Sequence, residues 1–435
     1  MNGEKPREIA IRILRRRGES GEYVEKLLEH ELAGAGLTPP DRALCQELVY
    51  GIVRWQTTLD WLMTRKTGDR PQNAALRLLL HLGLYQLFWL QRIPNHAAVH
   101  ETVELGKRLG FGHQAGFLNA VLRGYTRERE ATVRQLESLK QTDPAIGYSH
   151  PAWLVERWQA RWGAAKTTQL LQWNNTPPPI FARINLLKTN AAALAEAWRQ
   201  EGVEFAEQHW DWTGSNVMFE LKSHPPLAQC PSFQRGFFYV QDPGTLLAVN
   251  ELDARPGENI LDLCAAPGGK TAYIAQYMEN RGRIVARDNQ PERLKLVREN
   301  CARLGITCVD FQDAGQAPPF DRILVDAPCS NTGVLRRRVD LRWRIRPEEI
   351  ERLRGAQRGL LEQAALQLKA GGTLVYSTCS LEPEENGQVI QQFLAEDARF
   401  KLESERELLP FVDGVDGAYV AKLSRLAQES QGSVK

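Results

Sequence analysis

Residues 260–271 read Ile-Leu-Asp-Leu-Cys-Ala-Ala-Pro-Gly-Gly-Lys-Thr. An apolar run of strand length that stops in small residues, Pro and paired Gly predicts a buried strand entering a tight turn. Apolar positions at roughly helical spacing from Thr271 to Met278 then predict a helix. Strand, glycine turn and helix make the unit on which α/β proteins hold nucleotides, because backbone can approach the ligand and the helix start offers free amides. Two readings compete for it. Gly269-Lys270-Thr271 matches the close of a phosphate-binding loop, but the first glycine of that pattern falls on Cys264, whose side chain obstructs a wrap of amides around phosphate. A Rossmann-like site for an adenosyl cofactor instead predicts an acidic residue ending the next strand, about twenty residues on. Arg283 to Ala286 reads as that strand, and Asp288 follows it.

The chain has 435 residues, a length that suggests two or three domains, with 43% hydrophobic and 25% charged residues. Its net charge of +2 is nearly balanced, so a nucleic-acid surface must come from local basic patches. Met1 to Gly18 lacks the apolar core of a signal peptide. Ala74 to Leu90, the most apolar stretch, is interrupted by Arg77, His81 and Gln86, which predicts a buried helix and no membrane span. The expected location is the cytoplasm, and the expected state a monomer. Seven cysteines, with no C-x-x-C spacing and no nearby His partner, argue against a disulfide framework and against a metal site.

From Pro6 to about Arg129 the pattern is helical throughout. Ile9, Ala10, Ile13 and Leu14 form one stripe and Val24, Leu27, Leu28 and Leu32 another, while Thr38 with Pro39 makes a helix start. The sum is an all-α bundle. Arg15, Arg16 and Arg17, with Arg123, Arg127 and Arg129, make either a basic face or a solvated helix surface. A helix over Tyr148 to Trp162, a break at Asn174 to Pro179, a strand over Ile180 to Asn185, a helix over Asn190 to Gly202 and strand-like pieces to Tyr239 compose a small α+β module. Trp153, Trp158, Trp173, Trp210 and Trp212 can stack on bases, although packing is the commoner use of tryptophan. Beyond Asp288, strands and helices alternate: helix Pro291 to Leu304, strand Thr307 to Phe311, strand Arg322 to Asp326, helix Pro347 to Leu368, strand Gly372 to Ser377 and helix Pro383 to Leu394. That alternation predicts a doubly wound, mostly parallel α/β sheet. The expected domains are 1–140 (all-α), 145–240 (α+β) and 241–425 (α/β), with a polar tail over 426–435.

The chemistry-bearing residues fall at strand ends, where such sheets bind ligands. Asp313 follows the third strand, where a carboxylate can accept from an adenine amino group. Asp326-Ala327-Pro328-Cys329-Ser330 follows the fourth, and Ser377-Thr378-Cys379-Ser380 the fifth. A lone cysteine at a strand end is usually a small buried hydrophobe, and the other five are read so. Two at one sheet edge beside an adenosyl cofactor have a use. Carbon 5 of a pyrimidine is a poor nucleophile until a thiolate adds to carbon 6, after which it can take a methyl group from S-adenosylmethionine. A base then removes the carbon-5 proton and the thiolate leaves. Leu335 to Arg346, with Arg336, Arg337, Arg338, Arg342, Arg344, Arg346 and Trp343 against Asp340, is placed to grip phosphates and stack a base; a solvated charged loop is the alternative.

Tyr50-Gly51-Ile52-Val53-Arg54, residues 94–101 (Pro-Asn-His-Ala-Ala-Val-His-Glu) and residues 117–123 (Phe-Leu-Asn-Ala-Val-Leu-Arg) resemble the helical RNA-binding domain related to the antitermination factor NusB. Residues 264–271, 326–330 and 378–380 resemble the motifs of RNA cytosine-5 methyltransferases, and with the NusB-like front the resemblance to members acting on small-subunit (16S) ribosomal RNA covers nearly the whole chain. It implies S-adenosylmethionine as cofactor, wrapped by Cys264, Ala265, Ala266, Pro267, Gly268, Gly269 and Lys270. It further implies Asp288 on the ribose, Asp313 on the adenine and Asp326 near methyl donor and target base. Cys379 is implied as the nucleophile and Cys329 as the group that assists release. Chemistry alone does not order the two cysteines; the resemblance does. ATP hydrolysis through Lys270-Thr271, a tRNA substrate and a non-catalytic RNA-binding role stay open at this point.

Overall fold

Local sequence signals set the helices of the first half. In the computed structural model, which describes residues 5–68, 70–311 and 319–427, the Thr38 hydroxyl accepts from the Asp41 amide at 3.4 Å and opens a helix with Pro in its first turn. The helices are α1 (Pro6–Ser20), α2 (Val24–Ala33), α3 (Pro39–Arg54), α4 (Gln56–Thr67), α5 (Ala74–Trp89), α6 (Asn95–Arg108), α7 (Ala115–Arg127), α8 (Arg129–Thr142), α9 (Pro144–Gly147) and α10 (Ala152–Asn175). The stripes read from the sequence meet in one core that includes Ile9, Ile13, Leu27, Leu48, Ile52, Leu80 and Leu122. No helix among the described residues is long and apolar enough to cross a membrane.

The chain divides into two compact units: residues 1–176 with 338–344, and residues 177–337 with 345–435. Helix α10 belongs to the first of these units. Non-helical Gly163 (φ 79°, ψ 167°) divides α10 into two helices, so the first ends at Trp162 as the sequence suggested and a second runs on to Asn175.

Arg342, from the inserted segment 338–344, is fully buried in the helical unit. It donates to the Arg54 carbonyl at 3.1 Å, the Ser149 carbonyl at 3.0 Å, the Asn174 carbonyl at 3.0 Å and Asn175 Oδ1 at 2.8 Å. Arg54 ends α3 and Asn174 lies in the last turn of α10, so two helix C-termini supply the negative potential a buried cation needs. Nearby, buried Asp340 accepts from Arg17 and from the Val24 amide at 2.6 Å, the Trp343 indole donates to the Val53 carbonyl at 2.7 Å, and Arg344 donates to the carbonyls of Gly21 and Glu22.

These contacts correct the expectation that residues 335–346 form an RNA grip. Neither a phosphate clamp nor a solvated loop describes them, because Arg342, Arg344 and Trp343 satisfy backbone carbonyls, while Arg336 and Arg337 pair with Asp416. Arg338 and Arg346 are the two that stay exposed. The basic face expected at Arg15 to Arg17 is likewise neutralised by Glu19, by Glu22 with Glu31, and by Asp340.

The second unit carries two sheets among the described residues. The smaller, in the order β2-β3-β1-β4, is antiparallel and built from β1 (Ile180–Ile184), β2 (Glu204–Gln208), β3 (Met218–Ser223) and β4 (Phe238–Val240). Helix α11 (Ala191–Gln200) covers it through buried Trp198, and the short α12 (Pro231–Gln234) precedes β4. The tryptophans named from the sequence largely pack: Trp158 and Trp212 are buried, and Trp210 and Trp212 donate to the carbonyls of Asp413 and Pro243.

The larger sheet contains β5 (Asn259–Asp262), β6 (Arg283–Ala286), β7 (Val309–Asp310), β8 (Phe320–Asp326), β9 (Leu368–Thr378), β10 (Phe400–Leu408) and β11 (Ala418–Arg425), in the order β10-β11-β9-β8-β5-β6-β7. Strands β5 to β9 pair in parallel; β10 and β11 pair antiparallel at the far edge. Alternate residues enter different cores, Ile260, Ile284, Leu324 and Val375 on one face and Leu261, Val285, Ile323 and Leu374 on the other, which is the period-2 signature of a sheet covered on both sides. Helices α13 (Leu246–Leu252), α14 (Gly269–Tyr277) and α15 (Pro291–Leu304) bring their buried side chains to the first core. After α16 (Leu341–Arg344), which belongs to the helical unit, α17 (Pro347–Gln367) and α18 (Gly387–Glu396) cover the second. The doubly wound, mostly parallel sheet expected from the sequence is present, and the strand order reverses at β5.

Replacing Arg342 with Met should strand several buried carbonyls of the helical unit without a donor and cost about 3 kcal/mol. Urea unfolding of the full chain checks this. A midpoint equal to that of the unsubstituted protein would mean those carbonyls find other donors.

Candidate active site

Strand β5 ends at Asp262, and α14 starts at Gly269 after a turn closed by backbone bonds. The Arg287 amide donates to the Asp262 carbonyl at 2.9 Å, the Ala265 amide to the Arg287 carbonyl at 2.8 Å, and the Gly268 amide to the Ala265 carbonyl at 2.7 Å. Gly268 has φ 102°, and a Cβ there would lie 3.0 Å from Val297 of α15, so backbone conformation and close helix packing both select glycine. The β6 end delivers Asp288 to this turn: its carboxylate accepts from the Ala266 amide at 3.3 Å and the Gln290 amide at 3.1 Å, and pairs with Arg293 at 3.4 Å. Asp313 falls within residues 312–318, outside the described residues.

The turn does not behave as a phosphate loop. Lys270, which would have to reach phosphates, donates to Asp326 at 2.6 Å. Burial alone would lower its ammonium, but the charge and hydrogen bond of Asp326, helped by Cys379 and Asp262, hold it above its ordinary value. Asp262 accepts from Thr271 at 2.7 Å through Oδ2, while its buried Oδ1 has no partner among the described residues. Burial pushes the Asp262 carboxyl up to about 7 against that hydrogen bond. Asp262, Asp288 and Asp326 beside one turn, with its lysine already paired to Asp326, disfavour a triphosphate. They fit a ligand that brings hydroxyl donors and positive charge, as an adenosyl sulfonium does. Cys264 is pushed up to about 12 by burial and by these same carboxylates, so it packs as a thiol.

The two cysteine motifs meet because β8 and β9 are parallel neighbours in the register Asp326 with Ser377. The Ala327 amide continues that ladder to the Ser377 carbonyl at 2.9 Å. Cys329 and Cys379 follow within a few residues, and their Sγ atoms lie 3.3 Å apart. Burial and the adjoining Cys379, its hydrogen bond first, push the Cys329 thiol well up, with Glu385 adding to the effect. Asp326 accepts from Lys270 through Oδ2 and from the Ser377 hydroxyl at 2.8 Å through Oδ1, which joins the cofactor turn to the cysteine strand.

Four residues not singled out as site members from the sequence join them. Asp262 and Ser377 are strand-end residues beside the named motifs. Asn331, at φ 59°, accepts from Cys379 Sγ at 3.0 Å and donates to the Cys329 carbonyl at 2.6 Å. Glu385 is buried beneath both cysteine loops. Cys45, Cys230 and Cys301 are buried and Cys308 is half-buried, in accord with packing roles. No cluster of metal-binding side chains is found among the described residues.

Residues 249–424 match the model of the 16S rRNA methyltransferase RsmB/F family, residues 4–127 the NusB family, and residues 150–214 the ferredoxin-like domain of RsmF/B-like methyltransferases. The chain is 38% identical to a probable ribosomal RNA small subunit methyltransferase B of Synechocystis, over 91% of this chain and 90% of that one. It is 37% identical to ribosomal RNA small subunit methyltransferase B of Erwinia tasmaniensis, over 95% and 97%. A crystal structure of a methyltransferase homologue from Pyrococcus horikoshii superposes with a TM-score of 0.57 at 31% identity, over 65% of this chain and 98% of that one. The similarity runs along almost the full length of the two ribosomal RNA methyltransferases, and the chain belongs to the RsmB/F family of S-adenosylmethionine-dependent methyltransferases.

Proposed function

We propose that the protein methylates carbon 5 of a cytosine in small-subunit ribosomal RNA. The observation that carries this reading is the 3.3 Å approach of Cys329 and Cys379 beside the Lys270-Asp326 pair. Two thiols in contact at a cofactor edge suit a reaction that needs one group to add to the base and another to attend its release. The RNA source is inferred from the ribosomal RNA methyltransferases among the relatives and from the NusB-like bundle.

Cys379, as thiolate, adds to carbon 6 of the cytosine; the carbon-5 to carbon-6 π pair moves into the ring and makes carbon 5 nucleophilic. S-adenosylmethionine supplies a methyl group without its bonding electrons to carbon 5. A base, a water held at Cys329, takes the carbon-5 proton, the carbon-hydrogen pair re-forms the carbon-5 to carbon-6 double bond, and the Cys379 sulfur departs with its pair as the thiolate. Cys329, whose buried thiol is held in its protonated form beside Cys379 and Glu385, is placed to protonate or steer the departing sulfur. Asp288 takes the ribose hydroxyls and Cys264 to Lys270 surround the cofactor; Asp313 is proposed for the adenine on the strength of the family pattern. Asp326, held from two sides, orients Lys270 between the cofactor turn and Cys379. Cytosine inside a duplex cannot reach this position, so the target base is unpaired or flipped out.

Cys379→Ala should abolish methylation and form no adduct, whereas Cys329→Ala should accumulate an RNA-protein adduct that survives denaturing electrophoresis. Bisulfite sequencing of ribosomal RNA from cells carrying each variant reads the product. The reverse pattern would exchange the two roles.

Asp262 gives a pH test of the cofactor end. Its carboxyl titrates at about 7 in the folded chain and at about 4 when unfolded. Its stabilisation is therefore complete below the unfolded value and is lost as pH rises through about 7, up to about 4 kcal/mol in all. Asp262→Asn should remove that part of the loss, so the gap between its thermal midpoint and that of the unsubstituted protein should change from about pH 5 to about pH 8. A constant gap would place the Asp262 titration elsewhere.

A further inference from the structure

Glu385 is a buried carboxylate for which the proposed reaction has no use. It is 0% exposed and sits at the end of a 3-10 turn spanning Pro383–Glu385. Oε1 accepts from the Ser330 amide at 2.8 Å and from Gln357 Nε2 at 3.1 Å. Oε2 accepts from the Ser380 hydroxyl at 2.5 Å and from the Ser330 hydroxyl. Every one of these donors is neutral. A carboxylate taken out of water without a cation is costly unless its lone pairs are filled, and here four donors fill them.

The donors identify what the group does. Ser330 follows Cys329 directly and Ser380 follows Cys379, so one carboxylate grips both cysteine loops one residue beyond the sulfur-bearing positions. The two hydroxyls also touch each other at 3.0 Å. Gln357, the remaining donor, reaches the Pro328 carbonyl at 3.0 Å and so braces the first loop from α17. A backbone bond also joins the two segments: the Gly333 amide, four residues after Cys329, donates to the Cys379 carbonyl at 2.9 Å, and a Cβ at Gly333 would lie 2.3 Å from the Gly417 carbonyl oxygen.

We infer that Glu385 is a positioning residue that clamps the Pro-Cys-Ser and Thr-Cys-Ser loops together and so fixes the separation of the Cys329 and Cys379 sulfurs. The β8-β9 ladder ends at Ala327 and Ser377; Thr378 still pairs with Tyr419 of β11, and beyond that point the spacing of the two loops rests on the Gly333-Cys379 backbone bond and on side-chain bonds such as these. The clamp takes over where the ladder stops. Its charge has a second effect, since a buried anion beside Ser330 opposes ionisation of the neighbouring Cys329. The inference rests on the proposed two-cysteine reaction only for its catalytic consequence; the clamp itself is a statement about geometry.

The test uses the full chain and two separate readouts. Diamide takes two hydrogens and two electrons from a pair of thiols and leaves a disulfide, and thiols already in contact react soonest. In Glu385→Ala, and to a smaller extent in Ser380→Ala, formation of the Cys329-Cys379 disulfide, followed by peptide mass mapping, should slow about tenfold or more. Methyl transfer should fall about a hundredfold in kcat with KM for S-adenosylmethionine little changed, because the cofactor turn lies on other strand ends. Glu385→Gln, which keeps the shape and one acceptor, should recover part of both. If Glu385→Ala does not fold, Ser380→Ala and Glu385→Gln decide. Disulfide formation and kcat both unchanged in soluble, folded variants overturn the clamp. Slow disulfide formation with unchanged kcat upholds the clamp and overturns the two-cysteine reading.

Discussion

A single register dominates the chemistry of this molecule. Parallel strands exchange hydrogen bonds with evenly spaced partners, so pairing Asp326 with Ser377 settles where both chains leave the sheet. Leaving side by side, they bring Cys329 and Cys379 into contact although 50 residues separate them. A slip of one residue would turn Asp326 and Ser377 to the opposite faces of the sheet and break their 2.8 Å hydrogen bond. The hydrophobic alternation of β8 and β9, with Ile323, Leu374 and Tyr376 in one core and Leu324 and Val375 in the other, is what prevents that slip.

Buried ionic groups then hold what the ladder cannot. Asp242 and Asp416 face Arg336 and Arg337 in the segment that leaves the cysteine loop. Burial and the nearby Asp416 push the Asp242 carboxyl up to about 7 despite both arginines. Such pairs contribute modestly to stability but are costly to break, since a lone buried charge remains. The following residues enter the helical unit, where Arg342 finds two helix C-termini. Arginine-rich sequence beside an RNA-modifying site invites a nucleic-acid reading; burial gives these particular side chains an architectural one.

The sequence was most legible where local physics decides the outcome. The glycine turn, the strand over Arg283 to Ala286, the Thr38 cap and the alternating sheet all follow from short-range patterning, and the structure has them. Strand β10 was not legible: Lys-Leu-Glu-Ser-Glu-Arg-Glu within it lacks apolar alternation because it lies at a sheet edge, where one side needs no strand partner. Glu385 was hidden for another reason. Beside Pro383 and Glu384 it resembles the exposed acidic residues that open helices, and only the return of Ser330 from far away in sequence buries it. Asn331 and the arginine segment share that character, since their partners are set by tertiary packing. The ordering of the two cysteines came from family resemblance, and the structure adds an asymmetry between them in the form of a more deeply buried Cys329 beside Glu385.

Charge at the site also bears on turnover. Asp262, Asp288 and Asp326 surround the cofactor turn with Lys270 as the cation paired to Asp326 and Arg293 to Asp288. Under the proposed reaction, such a carboxylate-rich wall holds a sulfonium cation more tightly than the neutral thioether left after methyl transfer, so the charge that favours binding the donor does not favour retaining the product. Under the same proposal a base reaches the cysteines from a strand whose backbone stays outside the site, and a flipped or unpaired cytosine is the form of substrate that meets this condition.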